Sequence, residues 1–547
     1  MLCRSFYRFA EKIVDSKMMR PPQYPECMSD GKGTPIDKSQ FQIFAARKCY
    51  AKDDSEYKIE HHRLFLKFVA VLIIPSMAFF VLSEFHNMKK PQMTRSPTFD
   101  SRTALCAQTC MISIVESIPE NITFGSMNLP ESTFNAWNSL IRSSKSSLLI
   151  AAYKSSLRGK HVFGSENSQL FSTQGEKIFD SLLESGTEKG VFIRIVENYP
   201  PKDKGDNEDA ASLEKRGAVH RRHLNFQKIL GKGTMHSKFI VSDKRSFYLG
   251  SANLDWRSLN QKMELGVIVK ECPCLAEDLS NVFDTYWELS SDGTATLDSV
   301  HRVNQREASY NMRSPLRVIH KGAPTDVFIA TSPPLLNGPR RTWDLEAILR
   351  AINDSKAYLY IHVMDYFPMF VYSKPRRYWP VIDDAIRKAV FRGVEVKMLV
   401  AALHYPALGL RFLSSLESLS GINTNGSIEA RIFKVPTPAA MQTVMVRERR
   451  THNKFVVTDD TIIIGTSNWS GDYFDGGSTG AAFVAQQHGA GEEGRPLVAE
   501  MKGIFLRDWY SEYTHSVSEY TEKCLLTRTG AFCEADKDPA LLATSQQ

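Results

Sequence analysis

HSKFIVSDKRSFYLGSAN, residues His236–Asn253, is the stretch on which the reading of this chain turns, and HNKFVVTDDTIIIGTSN, His452–Asn468, repeats it. Each copy places a lysine two positions after a histidine (Lys238 after His236, Lys454 after His452). Each then runs through β-forming residues to an aspartate, Asp243 or Asp459, and closes on a small-residue turn ending in Asn253 or Asn468. Residues i and i+2 of a strand share a face. The spacing therefore predicts an imidazole and an ammonium aimed into one space, with the asparagine of the turn held close. The aspartates fall at odd spacing from the histidines and are expected on the opposite face, as structural supports.

Working outward, the repetition extends over most of the chain. SLLIAAY (147–153) corresponds to AYLYIHV (357–363), and GVFIRIV (190–196) to GVEVKML (393–399), with helical stretches at Gly175–Leu183 and Trp379–Val390 between them. Strands alternating with helices predict an α/β architecture of β-sheets flanked by helices. Two fused repeats, 112–300 and 326–520 joined by a connector at 301–325, predict pseudo-twofold symmetry that brings both His-Lys pairs to one cleft. The charged run Pro200–Arg216 and the HRRH of His220–His223 are expected as exposed loops. Arg447, Arg449 and Arg450, just ahead of the second motif, fit either a phosphate-tracking patch or a solvated charge run. Of the aromatics beside the turns, Trp256 is expected in the core, while Trp469, Tyr473 and Phe474 suit either core packing or base stacking.

The N-terminal part is different. Residues 1–63 mix charges, prolines and glycines and read as a largely disordered tail. Leu64–Ser83 (LFLKFVAVLIIPSMAFFVLS) is long enough to span a bilayer, with Lys67 near its end to snorkel, and 84–111 form a stalk. Basic flanks do not orient the span, since Lys52, Lys58 and Arg63 are matched by Lys89, Lys90 and Arg95. Acceptable glycosylation sequons begin only after it, at Asn121, Asn353 and Asn425; that at Asn468 lies inside the motif turn. Of the nine cysteines, Cys3, Cys27 and Cys49 precede the span, and Cys106, Cys110, Cys272, Cys274, Cys524 and Cys533 follow it. An even set beyond the span suits disulfides in an oxidising compartment. CxxxC and CxC also fit metal binding, but no histidine completes a ligand set. The expectation is a single-pass type II membrane protein whose catalytic part is lumenal. Composition is that of a globular protein, 42% hydrophobic and 24% charged, and the net charge of +7 permits a phosphate-bearing partner without requiring one.

HxKxxxxD followed by GSxN or GTxN, present twice, resembles the signature of the phospholipase D superfamily. YLGSANLDWRSL (248–259), IGTSNWSGDYF (464–474), FLRDWYS (505–511) and IVESIPE (114–120) resemble its membrane-anchored animal endolysosomal subgroup, types three and four. The resemblance covers roughly 104–516 and leaves a C-terminal tail at 521–547. It implies that Cys106 and Cys110 bridge to Cys274 and Cys272, leaving Cys524 with Cys533. It implies phosphodiester chemistry without metal or other cofactor. Lysines and asparagines would offset the phosphate charge. One neutral histidine would attack, giving a phosphohistidine, while the other, protonated, would donate to the leaving oxygen. Glu264 stands where the superfamily often has a carboxylate orienting the histidine of its own motif, whereas the matching position of the second half is Gly480. Asp472 or Asp475 is the candidate substitute, though neither stands at the same place. This asymmetry favours His236 as nucleophile and His452 as proton donor. The rate should be bell-shaped in pH, with its optimum on the acid side of neutrality. The resemblance implies a 5′ to 3′ exonuclease on single-stranded DNA or RNA, routed from endoplasmic reticulum and Golgi to endolysosomes. The alternative is a phospholipase D or phosphatidyl transferase acting on phospholipids such as phosphatidylcholine. A degenerate membrane scaffold is disfavoured by two intact motifs. A homodimer is among the expected assemblies.

Overall fold

The computed structural model describes residues 106–522, apart from short internal stretches such as 164–168 and 438–444. Leu64–Ser83, Cys524 and Cys533 lie outside the described residues, and no described helix is long and apolar enough to cross a membrane.

Two mixed sheets carry the architecture. The first runs, edge to edge, Glu131–Ser132, Met111–Ser117, Glu264–Lys270, Ser246–Gly250, Phe239–Ser242, Ser147–Ala152, Phe192–Asn198, His220–Leu224. The second runs Leu316–His320, Ala323–Ser332, Gly480–Gln487, Thr461–Gly465, Lys454–Thr458, Tyr358–Val363, Glu395–Ala401, Ser427–Phe433, Thr514–Ser516. In both, an antiparallel hairpin follows each motif (Phe239 opposite Leu249, Phe455 opposite Ile464), and the next three strands are parallel neighbours. Parallel neighbours need a crossover, which Gln169–Thr187 and Val381–Phe391 supply as helices. The central strand Ser147–Ala152 is buried on both faces from Leu148 onward, so it reads as a continuous apolar run, and Tyr358–Val363 is buried from Leu359 onward with His362 among its buried residues.

The largest core lies between the inner faces of the sheets. Val241, Phe247, Leu249 and Val267 of the first meet Ile329, Phe455, Val457 and Phe483 of the second, with Leu279, Phe283, Met501 and Phe505 from the helices Pro273–Leu289 and Pro496–Trp509. Outer cores sit under Thr133–Ser143 and Gln169–Thr187 on one side and Asp344–Asp354 and Val381–Phe391 on the other. Cys106–Cys274 and Cys110–Cys272 disulfides staple the first described turn to the start of Pro273–Leu289.

Two charged stretches depart from the exposed loops expected of them, the first in burial and the second in form alone. Pro200–Arg216 contains the helix Glu208–Lys215, and Asp206, Asn207 and Asp209 are buried. Two cations hold these acids: Lys154 pairs with Asp206 at 3.5 Å, as well as with Asp203 and Asp255 at 3.4 Å, and Arg158 pairs with Asp209 at 2.6 Å. His220–Leu224 is an edge strand rather than a loop. Arg449 is neither a phosphate tracker nor solvated: it is buried and donates to the carbonyls of Pro436 and Glu120 and to Gln261.

A buried fork joins the two halves. Arg507 Nη1 and Nη2 donate to Glu116 Oε1 and Oε2 at 2.7 and 2.8 Å, with Asp508 also on the guanidinium. Burial pushes the Glu116 carboxyl upward and Arg507 opposes it. Removing one partner strands the other in a low dielectric. Arg507→Met is expected to cost about 3–5 kcal/mol, read by urea unfolding, with part of the loss restored when Glu116→Gln is added.

Candidate active site

Both motif histidines stand just before the ladder rather than within it. The paired strands begin at Phe239 and Lys454, and the backbone N–H groups of the histidines are taken up by the opposite half of the chain. His236 N–H donates to Thr479 Oγ1 at 2.8 Å, and Thr479 N–H to the Thr234 carbonyl at 2.9 Å. Reciprocally, His452 N–H donates to the Met263 carbonyl at 2.7 Å, and Met263 N–H to the Arg450 carbonyl at 3.1 Å. Each histidine is thus seated by the segment that precedes, or opens, the other half's third motif strand (Glu264–Lys270 or Gly480–Gln487).

His236, Lys238, His452 and Lys454 are all buried, and each lysine Nζ donates to the carbonyl of its own histidine at 2.6 Å. Asn253 and Asn468 are buried at the ends of the two turns. Asp243 and Asp459 sit at the far ends of the motif strands. Asp243 accepts from the N–H groups of Lys145, Ser146 and Ser147, and Asp459 from those of Lys356 and Ala357. They anchor the start of the neighbouring central strand and do not enter the cleft.

Glu264 corrects the sequence reading. It does not orient the histidine of its own half: its Oε2 lies 2.7 Å from His452 Nδ1 and accepts from Ser251 Oγ at 2.6 Å. Strand Glu264–Lys270 carries the carboxylate across the interface between the sheets, where the second motif descends. The substitutes expected at Gly480 are also displaced. Asp472 accepts the N–H groups of Val371, Tyr372 and Ser373, and Asp475 the Trp379 Nε1–H. The space a side chain at Gly480 would fill is taken instead by Ser467 Oγ and Asp344 Oδ2, which are 3.1 Å apart. Asp344 carried no motif spacing and was missed.

His236 is instead flanked by rings. Tyr153 and Tyr473 each centre 4.8 Å from its imidazole, and Tyr153 also stacks under Lys238 Nζ at 5.0 Å. Trp256, Trp469 and Phe474 are core residues; of the four aromatics near the turns, Tyr473 is the one that faces the cleft. Tyr153 follows the first apolar strand directly and Tyr473 the second turn, but nothing in their spacing marked them.

The electrostatics follow from crowding cations in a dry site. Burial first, then Lys238, Lys454 and His452, hold His236 well below the usual imidazole range, while a hydrogen bond to the Thr466 backbone acts the other way. His452 is lowered by burial, then Lys454, Lys262 and Lys238. Burial lowers Lys238 well below an ordinary lysine and brings Lys454 to about 7, with Glu264 opposing both. Burial raises Glu264 to about 6. A bound anion would favour the charged forms of these lysines and histidines. Such a site can bind an anionic diester, attack it with a neutral imidazole and protonate a leaving oxygen. Among the described residues the one cluster with metal-ligand geometry is Cys106, Cys110 and Cys272, and its sulfurs are engaged in the disulfides.

Comparison with known proteins agrees with this geometry. Residues 125–438 match the family described as "PLD3/4, PLD-like domain". The chain is 36% identical to the 5′-3′ exonuclease PLD3 of Xenopus laevis, over 86% of this chain and 95% of the relative. It is 38% identical to the 5′-3′ exonuclease PLD3 of Rattus norvegicus, over 76% and 82%. A probable phospholipase D of Caenorhabditis elegans is 34% identical, over 75% and 72%. With two buried His-Lys pairs seated across the sheet interface and relatives of this identity along most of its length, the chain belongs to the phospholipase D superfamily, in its PLD3/4-like group, and is a phosphodiesterase.

Proposed function

We propose that this protein is a metal-independent 5′ to 3′ exonuclease on single-stranded DNA or RNA, acting through a covalent phosphohistidine. The observation that carries the chemistry is the reciprocal seating of His236 and His452, with a carboxylate on one of them alone. His236 attacks phosphorus as a neutral imidazole while His452, its imidazolium held by Glu264, passes a proton to the leaving oxygen as the P–O bond breaks. A water then gives its proton to His452 and displaces the phosphoryl group from His236. The proposal keeps His236 as nucleophile and His452 as donor on a different ground from that in the sequence: a carboxylate favours the charged imidazole, so the Glu264 contact supports His452 as the proton donor. The nucleic-acid substrate is supported by the names of the PLD3 relatives.

Two fused repeats related by a pseudo-twofold are supported by the matching strand orders and by paired details away from the site. Arg222 lies over the Trp287 ring at 4.2 Å, and Arg431 over the Trp509 ring at 4.5 Å, in corresponding places. A type II anchor at Leu64–Ser83, with a lumenal, endolysosomal catalytic part, is supported by two disulfides and by exposed Asn121, Asn353 and Asn425 beyond that stretch.

The test presents purified protein with a labelled single-stranded oligonucleotide and with phosphatidylcholine vesicles, each with and without chelator. Shortening of the oligonucleotide from its 5′ end, unchanged by chelator, is the expected result. Release of choline with an intact oligonucleotide would transfer the site to lipid. Loss of activity in chelator, restored by a divalent ion, would end the two-histidine mechanism.

A further inference from the structure

The cleft that opens on His236, of about 770 Å³, is walled by both halves of the chain. One wall carries Lys202 and Lys232; the other is a hairpin in which Met369–Phe370 pairs with Arg377–Tyr378 and which presents Tyr372 and Lys374. Neither wall contains a motif residue other than His236, and the chemistry described above does not need them.

The hairpin is built to hold its position. Asp472 accepts the N–H groups of Val371 at 2.6 Å, Tyr372 at 3.3 Å and Ser373 at 3.1 Å, and the Ser373 hydroxyl at 2.9 Å. Trp379 Nε1 donates to Asp475 Oδ2 at 2.5 Å, and Arg377 stacks on Phe370 at 4.0 Å. Asp472 and Asp475 follow the second motif turn directly, so the hairpin is tied to the catalytic centre itself. Across the cleft, Lys232 Nζ reaches the Asp475 carbonyl at 3.0 Å.

Cations outnumber carboxylates in this cleft, Lys202, Lys232, Lys374 and Arg377 against Asp203 and Asp472. Its two carboxylates are already engaged, Asp472 by the hairpin and Asp203 by Lys154 at 3.4 Å. Lys202 and Lys374 are exposed and make no ion pair among the described residues. Tyr372 is 51% exposed and meets Tyr473, the ring beside His236, edge-on at 6.4 Å. Cations with an exposed ring in a groove are the elements that hold a single strand: the cations track phosphates and the ring takes a base face.

We propose that this cleft is a strand-binding arm, in which Lys202 and Lys374 grip phosphates away from the one being cleaved and Tyr372 stacks a base. The proposal rests on the nucleic-acid reading above and adds where the uncut strand lies. It makes length preference a property of the hairpin rather than of the motifs.

The experiment compares wild type, the double variant Lys202→Gln/Lys374→Gln and Tyr372→Ala. Each is measured by kcat/KM on a single-stranded 20-mer and on a thymidine p-nitrophenyl phosphodiester too short to reach the arm. For both variants the 20-mer is expected to lose about tenfold or more, and the small diester to change less than about twofold. The slope of log kcat/KM against log salt on the 20-mer should flatten by about 0.7 for each lysine removed. Equal losses on both substrates would overturn the proposal, because the hairpin would then serve the catalytic centre alone; so would an unchanged 20-mer. A wild-type protein that cleaves the small diester but no oligonucleotide would remove the nucleic-acid reading, and the arm with it.

Discussion

His236→Ala is expected to bring oligonucleotide cleavage to background, and His452→Ala to lower kcat by about 10²–10⁴-fold, with both variants retaining the wild-type circular dichroism spectrum. The two losses have different causes. Without His236 the imidazole that opens on the cleft is gone, and His452, held on Glu264 as the proton donor, does not take its place, so the covalent route is closed. Without His452 the attack still occurs, but the leaving alkoxide departs without a proton and the adduct has no base to activate water. A p-nitrophenyl diester separates them, since its leaving group needs no proton. His452→Ala should then release one equivalent of nitrophenol per protein and stop, whereas His236→Ala should release none. Steady turnover of this diester by His236→Ala would show that His236 is not the nucleophile.

Glu264→Gln is expected to reduce kcat/KM by about 10²-fold or more near pH 6, because an amide in the place of an orienting carboxylate leaves the imidazolium without its counter-charge. The shift in pH follows from the sign of each interaction. Burial and the neighbouring lysines already hold His452 below the usual imidazole range, and the Glu264 carboxylate opposes them. The productive form carries a proton on His452 and none on His236, so activity rises as pH falls into the His452 titration. It declines again at lower pH, where His236 takes up a proton and can no longer attack. Wild type should therefore peak on the acid side of neutrality, its limbs belonging to the coupled groups rather than to single residues. Glu264→Gln should move the alkaline limb to lower pH. An alkaline limb that stays in place while kcat falls would mean that Glu264 supports only the fold, through Ser251.

The parts of this molecule legible in its sequence are those with periodic or repeated spacing. Ser147–Ala152, Phe192–Asn198, Tyr358–Val363 and Glu395–Ala401 lie where the paired β-like runs placed them: Ser147–Ala152 is almost wholly buried and apolar, while Phe192–Asn198 and Glu395–Ala401 alternate at their outer ends, as half-covered strands do. His236, Lys238, His452 and Lys454 lie close enough to shift one another's charge, and the His-Lys spacing is the same in both motifs. What could not be read was the partner of each group across the interface. Glu264 was assigned to its own half because sequence distance is blind to a strand that hands its carboxylate over to the other sheet. Asp344 reaches the place left by Gly480 from a helix far upstream, with no motif to announce it. The burial of Asp206 and Asp209 within Pro200–Arg216 has a related cause: Lys154 and Arg158, distant in sequence, pair with them. Charge composition alone counts groups and not their partners.

The central claim is that two histidines from opposite halves act on one phosphorus, with His236 the atom donor in the covalent bond. Rapid acid-free quenching of wild type and of His452→Ala with a single-stranded oligonucleotide, followed by peptide mass spectrometry, tests it directly. The account predicts a nucleotidyl adduct on the peptide containing His236 in both proteins, transient in wild type and accumulating in the variant. An adduct on His452 in the wild type, or turnover with no adduct on either histidine, would contradict it.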